Sequence, residues 1–469
     1  MNSIDRALRN LSQVEGRVNS EIIKDLIDDH APQRKRMIAL YERYKGTEAG
    51  VPVLTRIFED ATKINNQLAN DFFGEIIDTK VGYFAGKPVS YSLDKNAYTT
   101  GETLNETAYG RDQQVISDFN LRSMIEDLDA ETAKVAATCG LAARLLYIDK
   151  DGLERVMLVD PWECIWVYDR SINEPQFALR YYTVQIQISG EWVNRKRVEW
   201  YDQTSVTYYI EQDGDYVPDN TEPKNPQRHM FTEVPLIAFE NNAERLADGE
   251  KAFTLIDGYD NALSDVNSEL EQFRLAYMAF YGVEPDAETL AKAMKTGAFG
   301  LPDTDAKIEF ITKDLNDTII ENHLNRLENN ILRFAKSVNF TDEAFGGNLS
   351  GVAMKFKVFG LESKCITAER KFTSSLMRQY RILCTAWKKK GIAIDYLNII
   401  YQFKRNFPLN LLDEAQTSVA LKGQVSEQTR LGLLSFVDDT QYELDLMAKD
   451  NEGAVNLDDI EEDDDEDTQ

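Results

Sequence analysis

Three histidines (His30, His229, His323) and four cysteines (Cys139, Cys164, Cys365, Cys384) are the whole stock of imidazole and thiol in 469 residues. No two histidines are close in sequence, so each reads as structural rather than as a ligand or general base. The cysteines form no C-x-x-C pair and read as buried free thiols of a reducing compartment. Neither a G-x-S-x-G turn nor an H-E-x-x-H helix occurs. Paired carboxylates such as Asp28-Asp29 and Asp438-Asp439 are expected in so acidic a chain, and none stands beside a candidate nucleophile. Gly82-x-x-x-Gly86-Lys87 imitates a phosphate loop. It is one residue short, and Pro88 stands where a Ser or Thr must reach magnesium. The residues therefore nominate no catalytic group, no metal site and no cofactor. A metal-dependent nuclease or hydrolase built on clustered carboxylates stays open as an alternative, as does an acidic scaffold that binds basic proteins.

The net charge is -28, and the last eighteen residues, 452–469, carry ten acidic groups and no basic one. Removing those ten charges still leaves -18 on the body. Affinity for naked DNA comes from neutralising phosphates, so this chain should hold DNA poorly. No window of 18 uncharged apolar residues occurs, and the first residues lack the basic-then-apolar build of a signal peptide. The length allows two to four domains at roughly 150 residues each.

The elements can be read in order. Residues 20–45 suggest two short helices around His30-Ala-Pro32, with Ile22, Ile23, Leu26 and Ile27 on one face. Phe72, Phe73, Ile76, Ile77 and Val81 form another helical face, followed by a strand toward Tyr91. Helices over 111–138 precede strands at 142–148, 156–160, 165–168, 177–188, 198–201, 206–211 and 234–239, with Asp149 to Gly152 as a hairpin turn. A helix is expected over 248–278, then an insert with a helix at 286–295 and strands near 299–301 and 307–312. Ile320, Leu324, Leu327, Ile331 and Phe334 recur at helical period.

Residues 339–351 break that period, with Gly346-Gly347 giving backbone freedom. From 352 to 390 there is no proline, and Phe372, Leu376, Tyr380, Leu383 and Trp387 keep to one face. If wholly helical, that stretch spans about 58 Å, with Gly360 the expected bend. A strand or turn near 392–396, a short helical run to Phe403 and small helices over 411–447 follow. The run from Asn451 is too charged to fold. The fold class is α+β.

Several stretches, in this order, resemble the portal proteins of long-tailed bacteriophages. They are Asn65-Asn66 with Asn70-Asp71-Phe72; Ile77-Asp78-Thr79 with Gly82-Tyr83-Phe84-x-Gly86-Lys87-Pro88-Val89-x-Tyr91; and Pro235-x-Ile237-x-Phe239-x-Asn241-Asn242. Leu255-Ile256-Asp257-x-Tyr259-Asp260-x-x-x-Ser264-Asp265 and Leu349 to Lys355 follow, and Phe436-Val437-Asp438-Asp439 precedes the acidic end.

The resemblance implies a portal fold with an α/β wing (1–245 and the long helix 352–391) and stem helices at 246–279 and 317–338. It also implies a small α/β clip at 280–316, a tunnel loop at 339–351, a short crown at 392–450 and a disordered tail at 451–469. It implies a non-enzymatic ring, in the family usually of twelve copies, at one capsid vertex of the virion, assembled in the host cytoplasm. The implied partners are the terminase large subunit, a head-tail connector, the major capsid and scaffolding proteins, and double-stranded DNA in transit; no membrane is implied. On that reading Phe340 to Ser350 projects into the bore. Asp342 and Glu343 repel phosphate, while Phe340, Phe345, Gly346, Gly347 and Leu349 give the loop shape and mobility; Asn348 and Ser350, in the same loop, are candidates to cap the helix that follows. Lys292, Lys295, Lys307 and Lys313 of the clip are candidate cationic contacts, or ordinary surface lysines.

Overall fold

A computed structural model describes residues 18–458 except 61–62, 102, 169–173, 189, 274–276, 282–285, 289, 292–306, 312–316, 340–355, 407–410, 435 and 438–439. Mixed helix and sheet is observed, as an α+β chain requires. In chain order the helices and longer strands begin with α1 (Ser20–Tyr44), α2 (Phe72–Phe84), β1 (Ser90–Leu93), α3 (Glu106–Arg122) and α4 (Ile125–Cys139). Next are β2 (Leu141–Ile148), β3 (Glu154–Val159), β4 (Cys164–Tyr168), β5 (Pro175–Ile188), β6 (Glu191–Tyr201), β7 (Ser205–Gln212), β8 (Asp215–Pro218) and β9 (Leu236–Glu240). Then come α5 (Phe253–Phe273), β10 (Tyr277–Tyr281), β11 (Lys307–Ile311), α6 (Asp317–Ala335) and α7 (Phe359–Lys389). The chain closes with β12 (Ile399–Gln402), α8 (Leu411–Leu421), α9 (Glu427–Gly432) and α10 (Thr440–Asp458).

Two compact units divide this chain. The first gathers three pieces, 1–41, 73–250 and 336–469; the second gathers 42–72 and 251–335.

The first unit contains an antiparallel sheet ordered β8-β7-β6-β5-β4, a three-stranded sheet β9-β2-β3, and the pair β1-β12. Asp149 to Gly152 makes the expected turn, because β2 and β3 pair from Ile148 opposite Glu154, and Gly152 takes φ +76°. The α7 stripe is the centre of the main core: Phe372, Leu376, Tyr380, Leu383 and Trp387 are all buried among Phe84, Phe119 and Phe239. Burying a side chain of this size contributes roughly 1.5–3 kcal/mol, so this one stripe outweighs any single polar contact of the unit. The apolar face of α1, including Ile22, Ile23, Leu26 and Ile27, packs in a separate cluster with Leu179, Val198 and Trp200 of the larger sheet.

In the second unit α5 and α6 pack together, and β10 pairs antiparallel with β11, Tyr277 opposite Ile311 and Tyr281 opposite Lys307.

Five expectations need correction. Residues 20–44 are one helix with Pro32 inside it. Proline removes one backbone bond, but the buried apolar face runs on past it through Met37 and Leu40, and packing outweighs the local break. The helix expected to 278 ends at Phe273, and Tyr277 and Met278 start a strand. The continuous helix starts at Phe359 after an interruption at Val358, with 356–357 helical before it, so the break falls two residues ahead of Gly360. Residues 352–355 lie outside the described residues. Residues 399–402, expected as helical, form the strand that pairs with β1, Tyr91 opposite Tyr401. Residues 451–458, expected not to fold, continue α10 to Asp458.

Candidate functional site

The second unit is organised by a polar line on α5. Asp260, Ser264 and Ser268 recur every four residues, which places their side chains in one row along the helix. An extended segment lies on that row. Asn70 donates to Asp260 Oδ1 through both its backbone N (3.0 Å) and its Nδ2 (2.9 Å). The Leu68 amide donates to Ser264 Oγ and the Asn66 amide to Ser268 Oγ, each at 2.9 Å. Asn66 Nδ2 reaches Glu271 Oε2, also at 2.9 Å.

Arg56 fastens the start of this strap through Asn65 Oδ1 (2.9 Å), the Asn66 carbonyl (3.0 Å) and Asp265 (2.8 Å). Phe72 closes its far end edge-on to Tyr259. Burial raises the Asp260 carboxyl above its usual range, against the bonds from Asn70 that oppose the shift. Two of the motif blocks quoted above are thus partners: Asn70 holds Asp260, and the Leu68 amide between the asparagines reaches Ser264. Sequence reasoning singled out both and missed their union, although the four-residue polar period was visible.

Besides the buried Asp260, α5 carries Asp257, Asp265, Glu269 and Glu271 and no Lys or Arg between Phe253 and Phe273, so its surface is acidic. On α6, Ile331 is fully buried and Ile320, Leu324 and Leu327 are partly so, but Phe334 is 59% exposed. The last member of the expected stripe therefore leaves the core, and Ala335 is buried instead. Ile319 of α6 and Leu270 of α5 are also more than half exposed. Lys307 lies exposed on β11, whereas Lys292, Lys295 and Lys313 fall outside the described residues. So does the whole of 340–350, with Phe340, Asp342, Glu343, Phe345, Gly346, Gly347, Asn348, Leu349 and Ser350.

In the first unit the motif residue Asn241 joins a buried ion set. Lys80 donates to Asn241 Oδ1 and to Asp248 Oδ2, both at 2.5 Å, and Lys364 meets Asp248 Oδ1 at 2.9 Å. Burial opposes the Asp248 charge, but Lys80 and Lys364 outweigh it and hold the carboxyl below its ordinary range. Asn242 ties the following turn, accepting from the Leu246 amide and donating to the Leu246 carbonyl at 2.8 Å each. Gly82 lies within α2, and a side chain on Gly86 would collide with the Gly82 carbonyl. Close chain packing therefore accounts for the second glycine.

The histidines are placed by hydrogen bonds. His30 Nδ1 is 2.8 Å from the Tyr181 hydroxyl, and burial, with Arg34 and Arg245 nearby, pushes its pKa down to about 4. His229 Nε2 donates to the Asp202 carbonyl at 3.0 Å, while His323 is exposed on α6. All four cysteines are buried and free, and burial raises Cys139 and Cys384 to about 12.

A cleft of about 570 Å³ opens beside α7, lined by Lys371, Arg378 and Arg381 of that helix with Arg245, Glu240 and Glu174 across from them. Arg245 Nη2 and Lys371 share the two oxygens of Glu240 at 2.9 and 3.0 Å. Arg381 reaches Glu174 at 2.8 Å and Glu233 at 2.6 Å. Among the described residues, no group of three or more His, Cys, Asp or Glu side chains is gathered as a metal site needs. No helix among them is long and apolar enough to cross a membrane.

The family described as "Phage portal protein, SPP1 Gp6-like" matches residues 23–457. The portal protein of Bacillus phage SPP1 is 26% identical over 95% of this chain and 91% of its own length. That of Clostridium phage phiCD119 is 24% identical over 90% of this chain and 94% of its own.

Proposed function

Because this chain belongs to the SPP1 Gp6-like family of phage portal proteins, we propose that identical copies close side by side into a ring at one capsid vertex. DNA enters and leaves the head through that ring. The terminase motor docks on the clip during packaging, and the head-tail connector attaches afterwards. The family is structural, and its members are part of the virion capsid. The observation that carries the reading is the match over 23–457, which takes in both units.

The division into wing, stem, clip, tunnel loop and crown belongs to the same proposal. α5 and α6 are the stem helices, the excursion through β10 and β11 is the clip, and residues 339–351 are the tunnel loop. Exposed Ile319, Leu270 and Phe334 support it, since neighbouring copies would cover apolar side chains that one copy leaves in water.

Magnitudes agree. Twelve helices at about 10 Å spacing make a circle of about 120 Å, or about 38 Å across between axes. Subtracting about 5 Å of helix on each side leaves a bore of about 28 Å, wide enough for a duplex with a water layer. The acidic surface of α5 suits a conduit, because strong phosphate contacts would stall translocation.

Electron microscopy with native mass measurement of the purified protein tests this reading. A perforated ring near a dozen subunits is expected; a lone subunit under every condition, or a disc with no hole, overturns it. Shortening 340–350 is expected to impair packaging while rings still assemble. Full packaging after that deletion removes the loop assignment.

A further inference from the structure

The larger sheet of the first unit carries an arm. Among the described residues, β4 reaches no further along β5 than Arg180, and β7 no further along β6 than Arg197. Beyond those points β5 and β6 pair only with each other. The pairs from Thr183–Lys196 to Ile188–Glu191 thus form a two-stranded ribbon about 17 Å long. A ribbon of two strands is marginal in water and gains from a surface to lie on. Trp192, 67% exposed, shares a face of it with Asn194 and Lys196, because alternate residues of a strand point the same way. Arg195 and Lys196 against Glu191 give the ribbon a net charge of +1, in a chain of -28.

A surface of matching chemistry lies at the corner between α3 and α4. Leu121 is 81% and Met124 72% exposed there. Asp118 stands one turn before Leu121, Glu126 and Asp127 follow Met124, and all three carboxylates are exposed. Met124 stands out of the corner on a left-handed φ of +50°, which few residues other than glycine take. Arm and corner are both exposed in one copy, so they do not cover each other within it. The arm offers an aromatic anchor beside cations, the side chains that most often dominate a protein interface. The corner offers apolar side chains beside carboxylates. A contact between two different patches of identical chains is head-to-tail, and repeated by rotation it closes a ring. We propose that the β5–β6 arm of one copy docks on the α3–α4 corner of the next, Trp192 against Leu121 and Met124, and Lys196 facing Glu126 and Asp127. This contact deepens the ring reading given above and rests on it.

The test uses the full chain with Asn194→Cys, an exposed position beside Trp192, carrying a benzophenone maleimide; the four natural cysteines are buried, so label goes to the new thiol. Rings are assembled from a mixture of isotopically heavy and light copies and illuminated. Adducts joining the arm of one isotope to residues 118–127 of the other are expected. Separately, Arg195→Glu with Lys196→Glu should lower the fraction of chains in rings several-fold, since like charges would then face each other. Adding Glu126→Lys and Asp127→Lys to the same chain should restore it, a rescue that a merely misfolded arm would not show. Rings undiminished in the arm variant, or adducts confined to one copy or to an added capsid shell protein, overturn the proposal and leave the ring reading standing. A parent that forms no rings sinks that reading and this contact with it.

Discussion

The Arg144 guanidinium and the Asp129 carboxylate meet at 2.6 Å inside the first unit, with 0% and 4% of their side chains exposed. Around them, Arg144 donates to Thr132 Oγ1 (2.8 Å), the Leu128 carbonyl (3.0 Å) and Gln379 Oε1 (3.2 Å), and it lies 4.5 Å from the Phe239 ring centroid. The Tyr91 hydroxyl donates to the other Asp129 oxygen at 2.5 Å. One side-chain cluster thus joins β1, β2, α4 and α7. Burial raises the Asp129 carboxyl although Arg144 opposes the shift, so the pair survives on geometry rather than on solvation.

Removing one member leaves an uncompensated buried charge. Arg144→Met is expected to lower stability by on the order of 3–5 kcal/mol. Arg144→Met with Asp129→Leu should cost clearly less than the two single changes added. Guanidinium midpoints for the four proteins give the coupling, and strict additivity would contradict the pairing.

His30 should make the first unit sensitive to mild acid. Its folded pKa, about 4, lies below the ordinary 6.5 because the buried ring resists charging. The stability tied to the neutral ring is thus complete above about pH 6.5 and drains away as pH falls toward 4. The full effect is on the order of 3 kcal/mol. His30→Gln is expected to flatten the melting-temperature profile over that window relative to the parent; parallel profiles would show that His30 does not drive it.

The strap on α5 predicts a local effect. Asn70→Ala removes the side-chain bond to the buried Asp260 while the backbone one remains, and should cost about 1–2 kcal/mol, read as faster amide hydrogen exchange over 63–71. Ser264→Ala should act more weakly in the same direction. Unchanged exchange in both would mean the segment is held by its neighbours alone.

Gly140 ends α4 in the left-handed region at φ +82°, and a side chain there would overlap the Arg245 carbonyl. Gly140→Ala is therefore expected to destabilise by on the order of 2–4 kcal/mol, combining strain with overpacking. A melting temperature within a degree of the parent would refute the close approach.

What the sequence made legible follows from periodicity. The α7 stripe, the 149–152 turn and most strands of the first unit were readable because each repeats a local pattern that burial rewards. Pro32 was misread because a local rule forecast a break where apolar residues on both sides of the proline share one face. The strand at 399–402 was missed because its partner, at 90–93, is remote in sequence. The asparagines of 65–70 and the polar row of α5 were each visible, but nothing local says that one covers the other.

The pairing of Ser90 with Gln402 also governs how the chain can mature on the ribosome. The nascent first unit lacks both an edge strand and its central helix until nearly nine-tenths of the protein has been made. A contact spanning roughly three hundred residues makes folding slow and late. The partial chain meanwhile exposes the apolar faces that α7 will cover, so newly synthesised copies should depend on chaperones until translation is almost finished.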